Sequence, residues 1–307
     1  MADVVCIASW NADLVSRVPR PIARGETIKS GHFEITPGGK GSNAAIAAAR
    51  QGASVSLIAR IGKDDFGRMG LELWRAEGIA TDHVEVAEGE TSGVAQILVY
   101  DDGDNSIAVF PGASAGLGAR HALAARETLS SCRVVMASCE VPLAATIAAF
   151  RIARGAGAAT VLNPAPALPL PDELLGLTDV LTPNETEAPL LVAAAADASV
   201  DAAADALLAR GAKAVLVTLG AAGCVLYREA QAPQGLIGRR MTVVDTIGAG
   251  DTFTGALAAA MARGEPLSDA MRWANAAAAL SVTGRGAIGG MPTLGQVRAL
   301  LAERANS

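Results

Sequence analysis

Short, continuously apolar runs of strand length alternate with alanine-rich helical stretches along most of this chain. The runs predicted as strands are Val4–Ser9, Val55–Ile61, Val134–Ser138, Thr160–Leu162, Val180–Leu181 and Val215–Leu219. Between them lie the predicted helices Ser42–Arg50, Asp64–Glu77, Pro142–Arg154 and Asp201–Arg210. Strands that are apolar on both faces, alternating with helices, are typical of a parallel sheet buried on both sides. The pattern predicts an α/β fold with a doubly wound, mostly parallel sheet and helices on both faces.

Two segments interrupt this alternation and have strand character of another kind. Residues 11–36 are polar with no long helix, and residues 91–110 are typical of a β-hairpin around the turn at Asp101–Asp104. Paired together, they would form a small β-sheet lid, which suits an enzyme that must exclude water; two separate surface insertions are the alternative. We therefore predict a core of residues 1–10, 37–90 and 111–307 and a β lid of residues 11–36 and 91–110.

Composition excludes several classes of partner. Hydrophobic residues make up 51% of the chain and charged residues 18%, with a net charge of -6 and no cluster of Lys or Arg. This argues against nucleic acid and anionic membranes as partners. No apolar stretch approaches the roughly 18 residues of a membrane span, and the four cysteines match no zinc or redox spacing. The composition predicts a cytoplasmic protein with reduced thiols.

The segment Asp245–Leu257 is a glycine-rich loop that opens a helix. The small residues Gly248, Ala249 and Gly250 let backbone N–H groups approach a ligand closely, at the positive end of the helix dipole. This favours a phosphate, or the negative charge that shifts during phosphoryl transfer. Asp251 in such a loop either accepts the proton of an attacking hydroxyl or simply caps the helix. The loop alone leaves both interpretations open.

Other glycine motifs lack the context that their functions need. The run Gly38–Ser42 departs from a Walker loop, because Glu34 and Gly41 replace the first glycine and the Ser or Thr that follows the lysine. The glycines of 284–289 follow a helical stretch, so they do not open a helix after a strand. The turn at Ser9–Asp13 has no glycine, which argues against a nicotinamide-dependent dehydrogenase.

Six motifs, in order along the chain, resemble those of the ribokinase-like (PfkB) carbohydrate kinase family. They are Ser9–Asp13, Gly38–Ala45, Asn163–Ala167, Thr182–Glu187, Thr218–Gly220 and Asp245–Gly255. The resemblance extends from about Val4 to Pro292 and implies an enzyme that uses ATP and Mg²⁺ to phosphorylate the primary hydroxyl of a sugar. D-ribose is the expected substrate. The alternatives are deoxyribose, another pentose, fructose, a nucleoside, or a catalytically silent sugar-binding regulator on the same fold.

The resemblance also implies roles for individual positions. Asp251 matches the catalytic base, and Gly248, Ala249 and Gly250 match the anion hole. The positions matching sugar-binding residues are Asn11, Asp13, Gly39, Lys40, Asn43 and Glu140. Those matching nucleotide contacts are Asn184, Thr218, Gly220 and Asn275. Without the resemblance, Asn43 could be a helix cap and Lys40 a solvated side chain.

Two metal sites and a subunit contact are implied in the same way. Asn184 and Glu187 would hold Mg²⁺, largely through water, although the same pair is typical of a helix start. A monovalent cation, potassium in particular, would be bound beside the anion hole, mainly by carbonyl oxygens of Asp245, Ile247, Val282, Arg285 and Gly290. The lids of two subunits would cover each other in a homodimer.

Two positions depart from the family pattern. Trp10 replaces a smaller aliphatic residue, and its indole is expected beside the sugar, where it would narrow the pocket or stack on the substrate. Gly290 replaces a serine that usually offers an oxygen to the cation, so potassium activation is less certain than catalysis.

Overall fold

The computed structural model of the protein describes residues 2–192 and 199–303. The strands in these residues are β1 (Val4–Ala8), β2 (Asn11–Arg17), β3 (His32–Gly38), β4 (Val55–Gly62), β5 (Ala80–Ala87), β6 (Gly93–Val99), β7 (Asn105–Phe110), β8 (Val134–Ser138), β9 (Ala159–Asn163), β10 (Val180–Leu181), β11 (Ala214–Thr218), β12 (Gly223–Arg228) and β13 (Gln234–Ile237). The helices are α1 (Lys40–Arg50), α2 (Asp65–Ala76), α3 (Ala119–Ala124), α4 (Arg126–Ser131), α5 (Leu143–Gly155), α6 (Asp172–Gly176), α7 (Glu187–Leu191), α8 (Val200–Ala209), α9 (Ala249–Ala262), α10 (Leu267–Ser281) and α11 (Leu294–Ala302). Within this part of the chain, no helix has both the length and the apolar character needed to cross a membrane.

The larger sheet has nine strands in the order β13-β12-β11-β10-β9-β8-β1-β4-β5. Its pairs are parallel from β5 through β11, whereas β12 and β13 are added in antiparallel fashion. Successive residues of β1 enter different halves of the core: Cys6 packs on one face of the sheet and Ile7 on the other. The doubly wound, mostly parallel α/β fold predicted from the sequence is therefore confirmed.

The smaller sheet has four strands in the order β3-β2-β6-β7. β6 and β7 form the predicted antiparallel hairpin, and β2 pairs with β6 in parallel, so the two interrupting segments form one sheet. The alternative of two separate surface insertions is wrong. β3 runs to Gly38, two residues past the predicted boundary at residue 36. The division into a core domain and a lid domain stays a prediction.

The edges of the large sheet were not predicted from the sequence. β5 and β13 are its outermost strands, and most of their residues are half-buried or exposed. An edge strand lacks a neighbour on one side, so it does not need the continuous apolar run that identifies a central strand. The apolar-run signal therefore finds the parallel strands of the middle of the sheet; it misses both edges and also β12, an interior strand that is mostly buried.

Helices α1 and α9 pack against each other and carry the predicted catalytic base and two of the predicted sugar-binding residues. A Cβ atom at Gly255 would lie 2.2 Å from the carbonyl oxygen of Ala44, so only glycine permits this close approach. This close packing brings the first turns of the two helices together. There, Asn43 of α1 donates a hydrogen bond to Asp251 of α9 (2.9 Å). The predicted phosphate-binding loop and the predicted sugar-binding motif therefore meet at one place.

Candidate active site

A cavity of about 210 Å³ lies at the first turn of α9. The predicted site residues that line it are Lys40, Asn184, Glu187, Thr218, Gly248, Ala249, Gly250 and Asp251. It is also lined by Asn163, Ala165, Thr182 and Thr246, which the sequence analysis did not assign to the site. Asn163 and Ala165 lie in the family motif at residues 163–167, so that motif could have identified them as site residues. Its volume is below the roughly 300–1,000 Å³ typical of small-molecule sites, so it accounts for only part of a site that would hold both a sugar and a nucleotide.

Asp251 lies at the third position of α9 and is only 5% exposed. Its Oδ2 accepts the hydrogen bond from Asn43 Nδ2. Burial raises the pKa of this carboxyl group to about 6, against the opposing effects of Lys40 and of the hydrogen bond from Asn43. The N-cap of α9 is Gly248, so the interpretation of Asp251 as a capping residue is wrong.

The backbone before Asp251 contains the left-handed turn and the helix start on which the anion-hole prediction rests. Gly248 has a φ of 77°, in the left-handed region that favours glycine, and a Cβ there would lie 2.8 Å from Ala287. The first N–H groups of a helix have no partner within the helix, and they lie at its positive end. The Ala249 N–H already donates to the Thr246 carbonyl oxygen (3.3 Å), whereas a Cβ built at Gly250 would meet nothing within 4 Å, which leaves room for a phosphate oxygen to approach the backbone there.

Asn11 and Asp13 extend from strand β2 of the small sheet. The Asn11 side-chain amide donates a hydrogen bond to the Asp13 carboxylate. Burial raises the pKa of Asp13 to about 6, although that hydrogen bond lowers it. The charges of Lys40 and Asp251 also act on Asp13, which places the small sheet's polar side chains within electrostatic reach of α1 and α9.

Glu140 and Lys40 are joined at the start of α1. Glu140 Oε2 accepts a hydrogen bond from the backbone N–H of Lys40 (2.8 Å). Gly39 is the N-cap, with a φ of 95°, and a Cβ at this position would lie 2.7 Å from the Ser9 carbonyl oxygen. Lys40 is half-buried and lines the cavity, so the interpretation of a solvated surface lysine is wrong.

Asn43 lies inside α1, so it is not the cap of this helix. Its Nδ2 donates a hydrogen bond to Asp251, whereas its Oδ1 is buried and has no hydrogen-bond partner within the described residues. A buried polar atom without a partner is costly, and a ligand hydroxyl would satisfy it. Asn43 is therefore suited to connect a bound hydroxyl compound with Asp251.

Asn184 and Glu187 form a reciprocal pair at the start of α7. Glu187 N–H donates to Asn184 Oδ1 (2.8 Å), and Asn184 N–H donates to Glu187 Oε2 (2.9 Å). The helix-start interpretation is therefore correct as a description of the local structure. Both residues also line the cavity, and Mg²⁺ commonly binds through one carboxylate while it keeps several waters. Asn184 Oδ1 already accepts three hydrogen bonds, so the Glu187 carboxylate is the group of this pair that fits a water-mediated Mg²⁺ site.

The predicted nucleotide contacts are divided between the cavity and its surroundings. Thr218 forms an isolated parallel bridge with Asn184 and lines the cavity. Gly220 and Asn275 lie outside the cavity lining. Asn275 Nδ2 donates to the carbonyl oxygen of Ile237, the residue that pairs with Gly223 across β12 and β13.

The segments predicted to bind a monovalent cation lie next to each other, but not all of their oxygen atoms are available to an ion. The Asp245 carboxylate accepts hydrogen bonds from the N–H groups of Ile247 (3.0 Å) and Gly286 (2.9 Å). The Val282 carbonyl oxygen already accepts two N–H groups. Gly290 has no side-chain oxygen, and a Cβ there would lie 2.0 Å from the Ser281 carbonyl oxygen. The Val282 carbonyl oxygen is therefore already occupied, and Gly290 cannot supply the side-chain oxygen that a serine would.

The Trp10 side chain is buried, so the expectation that its indole stacks on a substrate is wrong. The side chain is 1% exposed, and its ring packs edge-on against Trp74 with 5.4 Å between centroids. Its Nε1 donates to the carbonyl oxygen of Phe66 (3.1 Å). A Cβ at Gly70 would lie 2.8 Å from the indole, so this glycine makes room for the ring. Trp10 is a core residue beneath the site.

The chain matches the pfkB family of carbohydrate kinases over residues 1–294. Haemophilus influenzae ribokinase is 38% identical over 289 residues, covering 94% of each chain. Salmonella typhi deoxyribokinase is 33% identical, covering 96% of this chain and 97% of its own. A solved structure of Arabidopsis thaliana ribokinase complexed with ribose and ATP superposes with a TM-score of 0.92 at 32% identity, covering 98% of both chains.

The doubly wound core, the small sheet and the cavity at the start of α9 define an α/β kinase of small molecules. Within that class, the chain belongs to the pfkB family of carbohydrate kinases. The family expected from the ordered sequence motifs is therefore confirmed.

Proposed function

We propose that this protein transfers the γ-phosphate of ATP to the primary hydroxyl of D-ribose, with Asp251 as general base. The observation that carries the proposal is the position of the Asp251 carboxylate. This carboxylate is buried in the first turn of α9, beside the N–H groups that suit a phosphate. It accepts a hydrogen bond from Asn43, one of the predicted sugar-binding residues. A hydroxyl bound at Asn43 would therefore lie between a base and an anion-binding helix start.

Sugar hydroxyls would be bound by short polar side chains from three parts of the chain. Asn11 and Asp13 come from the small sheet, Asn43 from α1, and Glu140 from the segment after β8. Carboxylate and amide oxygens accept hydrogen bonds from hydroxyls, and the unpartnered Oδ1 of Asn43 is one such acceptor. Together they would hold the primary hydroxyl in line with the γ-phosphorus.

In the transfer step, Asp251 takes the hydroxyl proton as the new O–P bond forms and the bond from the γ-phosphorus to the ADP oxygen breaks. A carboxyl group with a pKa of about 6 is ionised at neutral pH, so it can accept this proton. The N–H groups of Gly248, Ala249 and Gly250 would stabilise charge on the transferring group. Lys40 lines the same cavity and adds a positive charge there.

Mg²⁺ fits the Glu187 carboxylate of the Asn184 and Glu187 pair through bound water. When it is present, the ion neutralises negative charge on the phosphates. ATP would extend from this cavity past Thr218 towards Gly220 and Asn275. Potassium has no role in the transfer step described above, and the Val282 carbonyl oxygen predicted to bind it already accepts two N–H groups.

Ribose is preferred over other acceptors because full-length similarity to ribokinases supports it. Deoxyribose is the principal alternative, since the deoxyribokinase relative is almost as similar. A catalytically silent sugar sensor is disfavoured, because such a protein has no need to keep a buried carboxylate at an anion-binding helix start.

The test is ADP release with MgATP against a panel of ribose, deoxyribose, fructose and nucleosides. The proposal expects the highest kcat/KM with D-ribose. Higher kcat/KM with another sugar would move the substrate assignment and keep the kinase. Sugar binding without turnover on any acceptor would support the sensor and overturn the proposal.

We also propose that the small sheet pairs with a second copy of the chain. Phe33 and Ile35 on β3, and Ile107 and Val109 on β7, are exposed apolar side chains on its two edge strands. Apolar surface and open strand edges are normally covered in soluble proteins. Light scattering at micromolar concentration should give the mass of a dimer, and Val109→Asp should give a monomer. Leu123→Asp, at an exposed leucine on α3, is the control. A monomeric wild type would contradict the proposal.

A further inference from the structure

Ser9 follows strand β1 and is 3% exposed, and none of the roles above includes it. Its hydroxyl donates a short hydrogen bond to Glu140 Oε2 (2.6 Å) and accepts one from the N–H of Gly41 (3.2 Å). Glu140 Oε2 also accepts the Lys40 N–H (2.8 Å). A single carboxylate oxygen is thus held by two donors from different parts of the chain.

These contacts replace the cap that helix α1 lacks. The N-cap residue is Gly39, which has no side chain to accept the first N–H groups of the helix. The N–H of Lys40 donates to Glu140, that of Gly41 to the Ser9 hydroxyl, and that of Ser42 to the Ser9 carbonyl oxygen (3.2 Å). Three consecutive N–H groups that a helix start leaves unpaired therefore end on Ser9 and Glu140.

We infer that Ser9 is a positioning residue for the sugar: it fixes Glu140 Oε2 against α1, so that Glu140 Oε1 is presented to a substrate hydroxyl. The inference rests on the proposed function, in which Glu140 binds sugar. Ser9 also joins the sugar-binding segment to the helix that carries Asn43, whose amide holds Asp251. A carboxylate fixed by two donors loses little rotational freedom when sugar binds, because its orientation is already set.

Charge makes the Ser9 contact more important than an ordinary hydroxyl contact. A hydrogen bond to an ionised carboxylate is shorter and stronger than one between neutral groups. Without the Ser9 hydroxyl, Glu140 Oε2 keeps only the Lys40 N–H, and its carboxylate can rotate. The loss should therefore appear in sugar binding and leave the ATP side of the cavity unchanged.

The experiment is a double-mutant cycle with Ser9→Ala and Glu140→Ala, measured as the KM and kcat for D-ribose and the KM for ATP. We expect Ser9→Ala to raise the ribose KM about tenfold, the effect of one hydrogen bond to a charged group. The ATP KM should not change. In the Glu140→Ala background, Ser9→Ala should add almost nothing, because the carboxylate it positions is absent.

Two further variants separate positioning from a general loss of structure. Ser9→Thr keeps a hydroxyl and should recover most of the ribose affinity. Ser56→Ala removes another buried serine, on the neighbouring strand β4, and should leave the ribose KM unchanged. Additive losses in the cycle, or equal increases in the KM of ribose and ATP, would overturn the inference.

Calorimetric titration with ribose in the absence of ATP repeats the cycle without turnover. A wild type that binds ribose but does not phosphorylate it would overturn the proposed function, and the binding cycle would still decide the role of Ser9. A wild type that turns over ribose with additive Ser9 and Glu140 effects would overturn the inference alone. A wild type that does not bind ribose would overturn both.

Discussion

Replacing Asp251 with asparagine tests the proposed base with little change in shape. The asparagine Oδ1 can still accept the hydrogen bond from Asn43 Nδ2, so the contact between α1 and α9 is kept. What is lost is the ability to take a proton. Removing a positioned general base costs a factor of about 10² to 10⁴ in rate, or about 3–5 kcal/mol of transition-state stabilisation. The ribose KM should change far less than kcat.

The assay is ADP release with MgATP and ribose, followed as a function of pH. In the wild type, kcat/KM should fall as pH decreases through about 6, because both Asp251 and Asp13 have pKa values raised to about 6 by burial. Asp269→Asn is a matched control. Asp269 occupies the third position of α10, as Asp251 does in α9, but its side chain is 56% exposed. This control should keep wild-type activity.

Asp251→Asn also has a predicted effect on stability, and the raised pKa of Asp251 fixes the sign of that effect. The folded-state pKa of Asp251 lies above its ordinary value of 3.8, so the folded protein binds this proton more tightly than the unfolded chain. The stabilisation from that proton is fully present below pH 4 and is lost as pH rises through about 6. A shift of about two units corresponds to about 3 kcal/mol.

Asp251→Asn should therefore gain up to about 3 kcal/mol in unfolding free energy relative to wild type between about pH 4 and pH 7, measured by urea denaturation. An Asp251→Asn variant with near wild-type kcat would refute the assignment of the base. A variant that loses stability as pH rises, relative to wild type, would refute the argument from burial.

Three further variants test other parts of the site. Glu187→Gln should shift the Mg²⁺ dependence of kcat to about tenfold higher concentration, the scale of losing one charge-assisted contact; an unchanged Mg²⁺ titration would contradict the site. Gly290→Ser should destabilise the protein by about 1–3 kcal/mol in urea denaturation, because its Cβ meets the Ser281 carbonyl oxygen, and should not introduce activation by K⁺ over choline. Trp10→Phe should reduce stability, because contact with Trp74 is lost. It should leave the ratio of kcat/KM for ribose to kcat/KM for deoxyribose unchanged. A changed ratio would place the indole at the sugar.

Local pattern was sufficient for the centre of the fold and for the glycine-rich loop that opens α9. Buried strands such as β1 and β8 must be apolar on both faces, so their sequences identify them without any knowledge of their neighbours. The loop from Gly248 to Asp251 is equally local, because a helix start binds anions through its own backbone. These features depend on residues adjacent in sequence, which explains why they could be predicted.

The outcome at Trp10 depended on packing between distant segments. Its sequence position, one residue before Asn11, indicated a place beside the sugar. The tertiary structure instead turns the indole into a space left by Gly70 of α2, where Trp74 covers it. No local periodicity records that a glycine some sixty residues away makes room for a ring.

The sequence by itself determined the α/β sheet, the glycine-rich helix start and the residue types available for chemistry at Asp251. Only the tertiary structure decided which of these groups act together. The pKa of Asp251 is raised because surrounding segments remove it from water, and Glu140 is oriented because Ser9, 131 residues earlier, donates to it. Burial and long-range hydrogen bonds depend on the whole folded chain, so they arise only when the distant segments have packed together.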